Sequence, residues 1–264
     1  MSSEGHSAYF QHLEAYEGDL EGWRYRVQKL ERPEARSQLD GDNAAFPYHP
    51  ISDVVRLCLA SAGEHLRLAW TAIKAGELYP TAHFSTLRGA LVAASQAVYI
   101  LGPEDTSLRR ARGLAVIVES YKRLRQFHLE HLKIDALTDY EKQQIKDQVQ
   151  WLNGRIQGAV DAGADKAGVN VSDKVIPYAA ELTYQSNVGL QHSVNLLWRQ
   201  MSGDAHALAW ALTLRATLDG PKDGALLTTG MAGGSLKDIS EPFEASFRIL
   251  RRGWSLFDQR CEAC

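Results

Sequence analysis

From about residue 53 onward, apolar residues recur at steps of three and four, the period of one face of an α-helix. Val55, Leu59, Ala62, Leu66, Trp70 and Ile73 predict a helix over about Asp53–Ala75, with Ser52 placed to cap its free amides and Gly76 to end it. Phe84, Leu87, Leu91, Ala94, Val98 and Leu101 predict a second, closed by Gly102-Pro103, whose small residues from Gly89 to Ala97 allow another backbone to come close. A third, about Thr106–His131, is expected to bury Leu114, Val118, Tyr121 and Leu124. Thr138 and Glu141 match the reciprocal capping box, and Ile145, Val149, Leu152, Ile156 and Val160 keep the period behind it.

The second half repeats the theme with more interruptions. A shorter helix is expected over Asp173–Thr183, its path complicated by Pro177. Leu190, Val194, Leu197 and Met201 form a face that runs into a predicted break at Ser202-Gly203, and helical pattern resumes over about Ala205–Leu218. Gly220, Pro221, Gly224, Gly230, Gly233 and Gly234 mark irregular chain, in which Leu226–Thr229 is expected to form at most one small strand. The last helix, about Leu236–Gln259, carries Phe243, Phe247, Leu250, Trp254 and Phe257 on one side, a stripe suited to core or to a dimer surface. Period-two alternation never lasts long enough to build a sheet, so the expected fold is all-α, a multi-helix bundle.

Residues 1–50 read differently. Glu4, Glu14, Glu17, Asp19 and Glu21 dominate the start, with a short helix over about His6–Tyr16, and Pro33, Gly41, Pro47 and Pro50 follow. The expected organisation is an acidic arm and irregular lead-in over 1–50, then a single helical domain over 51–260.

Composition narrows the function classes. With 29 Lys plus Arg against 32 Asp plus Glu the formal charge is -3, so a nucleic-acid surface has to be local. The start lacks the basic and apolar regions of a signal peptide, and no apolar run reaches membrane-spanning length; a cytoplasmic protein without a membrane partner is expected. Cys58 sits in an apolar stretch as a core residue, while Cys261 and Cys264 form a terminal C-x-x-C without the second pair a structural zinc site takes. No phosphate-loop string, nucleophile elbow or H-E-x-x-H occurs, and neither a cofactor nor a metal is expected.

The polar group that interrupts the apolar pattern is Arg199, Ser202, Asp204 and His206. A neutral imidazole takes a proton from a hydroxyl near physiological pH, and a guanidinium holds phosphate oxygens as charge develops on them. Ser202 is placed to donate to a phosphate and Asp204 to orient either partner. On a continuous helix Arg199 and His206 share a face about 10.5 Å apart, too far for contact. A second cationic run lies on the third helix, where Arg109, Arg112, Lys122, Arg123 and Arg125 are candidates for tracking a phosphate backbone. The same residues fit a bland reading, with Asp204 neutralising Arg199, His206 in the core and the third helix a solvated face.

The Arg199–His206 pair, with six residues between, resembles the motif of the HEPN superfamily of small helical bundles, in particular its bacterial branches. Leu87-Arg88 opening a helix that ends at Tyr99–Pro103, and Trp198-Arg199 leading into Met201-Ser202, are similar too, over about Asp53–Leu218. Where related chains follow the second-helix arginine with an acidic residue a turn later, Arg88 is followed by Val92. The resemblance implies a HEPN-like core, a homodimer with Arg and His of both copies in one cleft, and a metal-independent ribonuclease of a toxin or defence system, with an antitoxin or regulatory protein as partner. His206 is then the proton-transfer group and Arg199 the phosphate clamp. Two other readings stay open: a catalytically inactive partner-binding protein, and a small-molecule binder with Trp198, Trp210 and Tyr184 as pocket walls.

Overall fold

Side chains that replace missing backbone partners set the helix ends. The Asp105 carboxylate accepts from the Ser107 amide at 2.8 Å, and Thr138 and Glu141 satisfy each other's backbone amides. At Gly76 and Gly163 the backbone turns left-handed (φ 78° and 103°), and the next amides reach back to Ala72 and Ala159, closing the helices in Schellman motifs.

The computed structural model describes residues 3–218 and 230–263. Their helices are α1 (Ser3–Glu14), α2 (Glu17–Val27), α3 (Gln38–Asn43), α4 (Ile51–Lys74), α5 (Ala82–Leu101), α6 (Thr106–His131), α7 (Asp139–Asp161), a single π-turn (Val171–Val175), α8 (Ile176–Tyr184), α9 (Val188–Ala205), α10 (Ala209–Thr213) and α11 (Leu236–Cys261). The only strands among them are two-residue β1 (Thr217–Leu218) and β2 (Gly230–Met231), paired antiparallel with Thr217 opposite Met231. The architecture is an all-α, multi-helix bundle. Gly220, Pro221, Gly224, the strand expected at Leu226–Thr229 and Cys264 lie outside the described residues.

The chain divides into two compact units, each drawn from three segments of sequence. The first comprises Met1–Glu31, Arg56–Val98 and Val171–Leu256; the second comprises Arg32–Val55, Tyr99–Asn170 and Phe257–Cys264. In the first unit the acidic start is not a solvated arm. Leu13 and Leu20 are buried, the Tyr16 ring stacks on Phe247 at 4.1 Å, and Trp23 lies 5.3 Å from Phe247 and 6.5 Å from Trp254. Aromatic packing on the α11 stripe thus outweighs the local acidity, and that stripe is core. The α4 and α5 faces are buried as their period requires, and Gly253 admits Leu59 so closely that a Cβ there would stand 2.8 Å from its Cδ2.

In α5, length and composition reach the membrane-spanning range, which the sequence pattern did not suggest. Yet 61% of its apolar window is buried inside the protein. Cys58 is a core thiol, its ionisation pushed up to about 12 by burial.

The second unit centres on α6 packed along α7. Leu114, Val118 and Tyr121 are buried as predicted, but Leu124 is exposed. Ser52 does not cap α4. It lies inside the helix, its amide and hydroxyl both bonded to the Asn43 side chain at 2.9 Å, while the Pro50 carbonyl accepts the Asp53 and Val54 amides. Arg260 is fully buried and spends its guanidinium on Gln38, Glu104 and the carbonyls of Leu101 and Pro103.

Candidate functional site

Helix α9 opens where the Asn187 side chain accepts from the Leu190 amide at 3.1 Å. It runs unbroken through Ser202-Gly203, against the predicted break, and ends two residues later at Ala205. There Ala207 turns left-handed (φ 54°), its amide bonds to the Asp204 carbonyl, and the Leu208 amide reaches the Gly203 carbonyl at 2.8 Å. This is again a Schellman closure, with alanine where glycine is usual. Helix resumes only over Ala209–Thr213, short of the expected Leu218. Gly203 lets α10 fold back tightly, since a Cβ there would stand 2.7 Å from Trp210 Cζ2.

Around this corner lies an open cleft of about 490 Å³. Arg88 of α5, Ser172 of the π-turn, Trp198, Arg199, Ser202 and Gly203 of α9, then His206, Leu208 and Trp210 line it, and there is no carboxylate among them. Arg199 and His206 are exposed, and neither side chain has a hydrogen-bond or ion-pair partner among the described residues. Helical geometry keeps them on one face about 10 Å apart.

Ser202 has a different part from the one expected. Its hydroxyl donates to the Trp198 carbonyl at 2.8 Å and accepts from Arg88 Nε at 3.1 Å. A hydroxyl has one proton, so in this arrangement Ser202 aims Arg88 instead of donating to a phosphate. The Arg88 guanidinium also lies 4.6 Å from the centre of the Trp198 ring, whose Nε1 donates to Ser172 Oγ at 3.1 Å. Arg88, noted in the sequence only as the second-helix arginine of the resemblance, therefore enters the cleft as a second, positioned guanidinium.

Asp204 is turned away from Arg199 and His206. It is buried in an ion pair with Arg215, whose guanidinium also donates to the Pro80 carbonyl and stacks 3.7 Å over Phe84. Burial pushes the Asp204 carboxyl above the ordinary carboxylate range, with Arg215 pulling the other way without cancelling it.

The cationic run of α6 divides. Arg109, 1% exposed, is bonded to Asp42, Thr106 and the carbonyls of Pro103 and Glu104, so it is a structural group and not a phosphate contact. Arg112 donates to the Tyr99 carbonyl and stacks on that ring at 4.1 Å, a structural role as well. Lys122, Arg123 and Arg125 do line an open groove, but Arg123 pairs with Glu119 at 2.7 Å and Arg125 donates to Asn153 at 2.9 Å. Lys122 alone of the five is exposed with no ion pair among the described residues.

Trp198 and Trp210 share the Arg199 cleft, whereas Tyr184 lines a separate cavity of about 160 Å³ with Leu190, Val194, Leu197, Glu241, Glu244 and Arg248. Burial raises the Tyr184 phenol to about 12. Among the described residues, no three His, Cys, Asp or Glu side chains stand together as a metal-binding group. Compared with protein-family models, curated proteins and solved structures, the chain matches none of them.

Proposed function

We propose that the α9–α10 cleft binds a phosphodiester and cleaves RNA through Arg199 and His206. One observation carries this reading: Arg88, Arg199 and His206 open onto a single cleft that, among the described residues, no carboxylate lines. Guanidinium groups in a lining without a carboxylate among the described residues favour a bound phosphate and the added charge of its transition state. His206 takes the proton of the 2′-hydroxyl, the 2′-oxygen attacks phosphorus, and Arg199 holds the non-bridging oxygens. The 5′-oxygen leaves with a proton from water, giving a 2′,3′-cyclic phosphate and a free 5′-hydroxyl.

The similarity to HEPN proteins supports the same assignment and adds a homodimer, in which a second copy brings its own Arg199 and His206, and a toxin or defence setting with an antitoxin or regulatory partner. Lys122 is the α6 residue suited to a further phosphate contact. The test is cleavage of single-stranded RNA in EDTA by wild type and by His206→Ala. Wild-type cleavage that the substitution abolishes supports the assignment; no wild-type cleavage, or an unaffected variant, overturns it.

A further inference from the structure

The cleft lining is of two kinds. Arg88 and Arg199 bring guanidinium groups; Leu208 and Trp210 bring apolar surface, and they are 49% and 47% exposed. The half-open indole leaves apolar surface that a ligand can cover. It is also held fixed. Its six-membered ring packs against Gly203 with no room for even a Cβ between them, and Ala211 beside it is fully buried. A rigid aromatic surface next to guanidinium groups suits a ligand that carries a flat π-face on a phosphate chain.

We infer that Trp210 is a stacking platform for a nucleobase, so that the cleft selects single-stranded RNA. The inference rests on the phosphodiester reading and deepens it. A base inside a duplex has both faces covered by its neighbours, whereas an unpaired base can leave its stack and lie on an indole. Phosphates on Arg88 and Arg199 set the strand's position, and Trp210 then distinguishes a base-bearing strand from any polyanion of equal charge.

The test measures binding without cleavage, using a fluorescein-labelled 2′-O-methyl oligoadenylate of about ten nucleotides and an abasic chain of the same length and charge. Wild type binds the adenine chain about tenfold more tightly than the abasic one, in the range of stacking one base on an aromatic side chain. Trp210→Leu abolishes that ratio and leaves abasic binding unchanged, Trp210→Phe keeps most of it, and Arg199→Ala weakens both chains alike. A wild-type ratio of one, or a ratio that survives in Trp210→Leu, overturns the platform while leaving the phosphodiester reading intact. Failure of wild type to bind either chain overturns both.

Discussion

Arg88 and Ser202 stand 114 residues apart in the chain and are joined by a single Nε–H···Oγ hydrogen bond of 3.1 Å. Through it, a hydroxyl on α9 fixes the direction of a guanidinium on α5, and the stack on Trp198 fixes its plane.

Removing that hydroxyl separates positioning from binding. Ser202→Ala is expected to cost about 1 kcal/mol of stability, the scale of a lost hydrogen bond to a half-buried charged group. Arg199→Ala changes stability by no more than about 0.5 kcal/mol, because the side chain is exposed and has no ion pair among the described residues, yet lowers the cleavage rate about 100-fold. Denaturant melts beside initial rates check both; equal stability losses would contradict the division of roles.

The Asp204–Arg215 pair makes a pH-dependent prediction. Arg215→Met keeps the packing on Phe84 but leaves a buried carboxylate without its cation, at a cost of about 3 kcal/mol at neutral pH. With only burial acting on it, the carboxyl titrates still higher in the folded state than in the unfolded one. A raised native value means that stability falls as pH rises through it. The melting-temperature deficit of the variant relative to wild type should therefore be small near pH 4 and grow toward pH 8. A constant deficit would mean that Asp204 is not ionised against Arg215.

Much of the helical scaffold was legible because helix formation is local. Thr106–His131 and the Thr138 capping box follow from side chains a few residues apart, and the buried faces of α5 and α11 follow from their period. The acidic start was misjudged because Tyr16 and Trp23 act through partners more than 200 residues away. The predicted break at Ser202-Gly203 failed for a related reason. Gly203 serves close packing against Trp210, while Ala207, a residue without glycine's freedom, makes the turn.

In the site, the Arg199–His206 spacing was readable on one strand of sequence, but the partners that decide the other roles were not. Arg88 and Arg215 reach Ser202 and Asp204 from outside the motif. Arg109 and Lys122 look alike in a charge count, yet Asp42 claims one and nothing described claims the other.

That contrast on α6 is itself testable. Arg109→Met should cost about 3 kcal/mol, because it removes the buried member of the pair and leaves the Asp42 carboxylate only the partly exposed Arg110. Lys122→Ala should leave stability within about 0.5 kcal/mol and reduce the slope of log affinity against log salt by about 0.7 for single-stranded RNA, the loss of one phosphate contact. Fluorescence titrations at several salt concentrations give the slope, and an unchanged slope would remove Lys122 from the interface.

Gly203→Ala tests the corner between α9 and α10. A Cβ there must push α10 away, since it would stand 2.7 Å from Trp210 Cζ2 and 2.8 Å from Ala211 Cβ. Overpacking of this kind costs about 1–3 kcal/mol. The displaced indole should lower the preference for base-bearing over abasic chains while Arg199 still binds phosphate. Retention of both stability and preference would show that the contact is not tight.

The chemical identity of the cut ends tests the RNA-cleavage assignment most directly. Mass spectrometry of a short single-stranded RNA incubated with purified protein in EDTA should find fragments ending in 2′,3′-cyclic phosphate, partnered by fragments with free 5′-hydroxyls, and none of either with His206→Ala. Fragments bearing 5′-phosphates, or the same products from the variant, would contradict it.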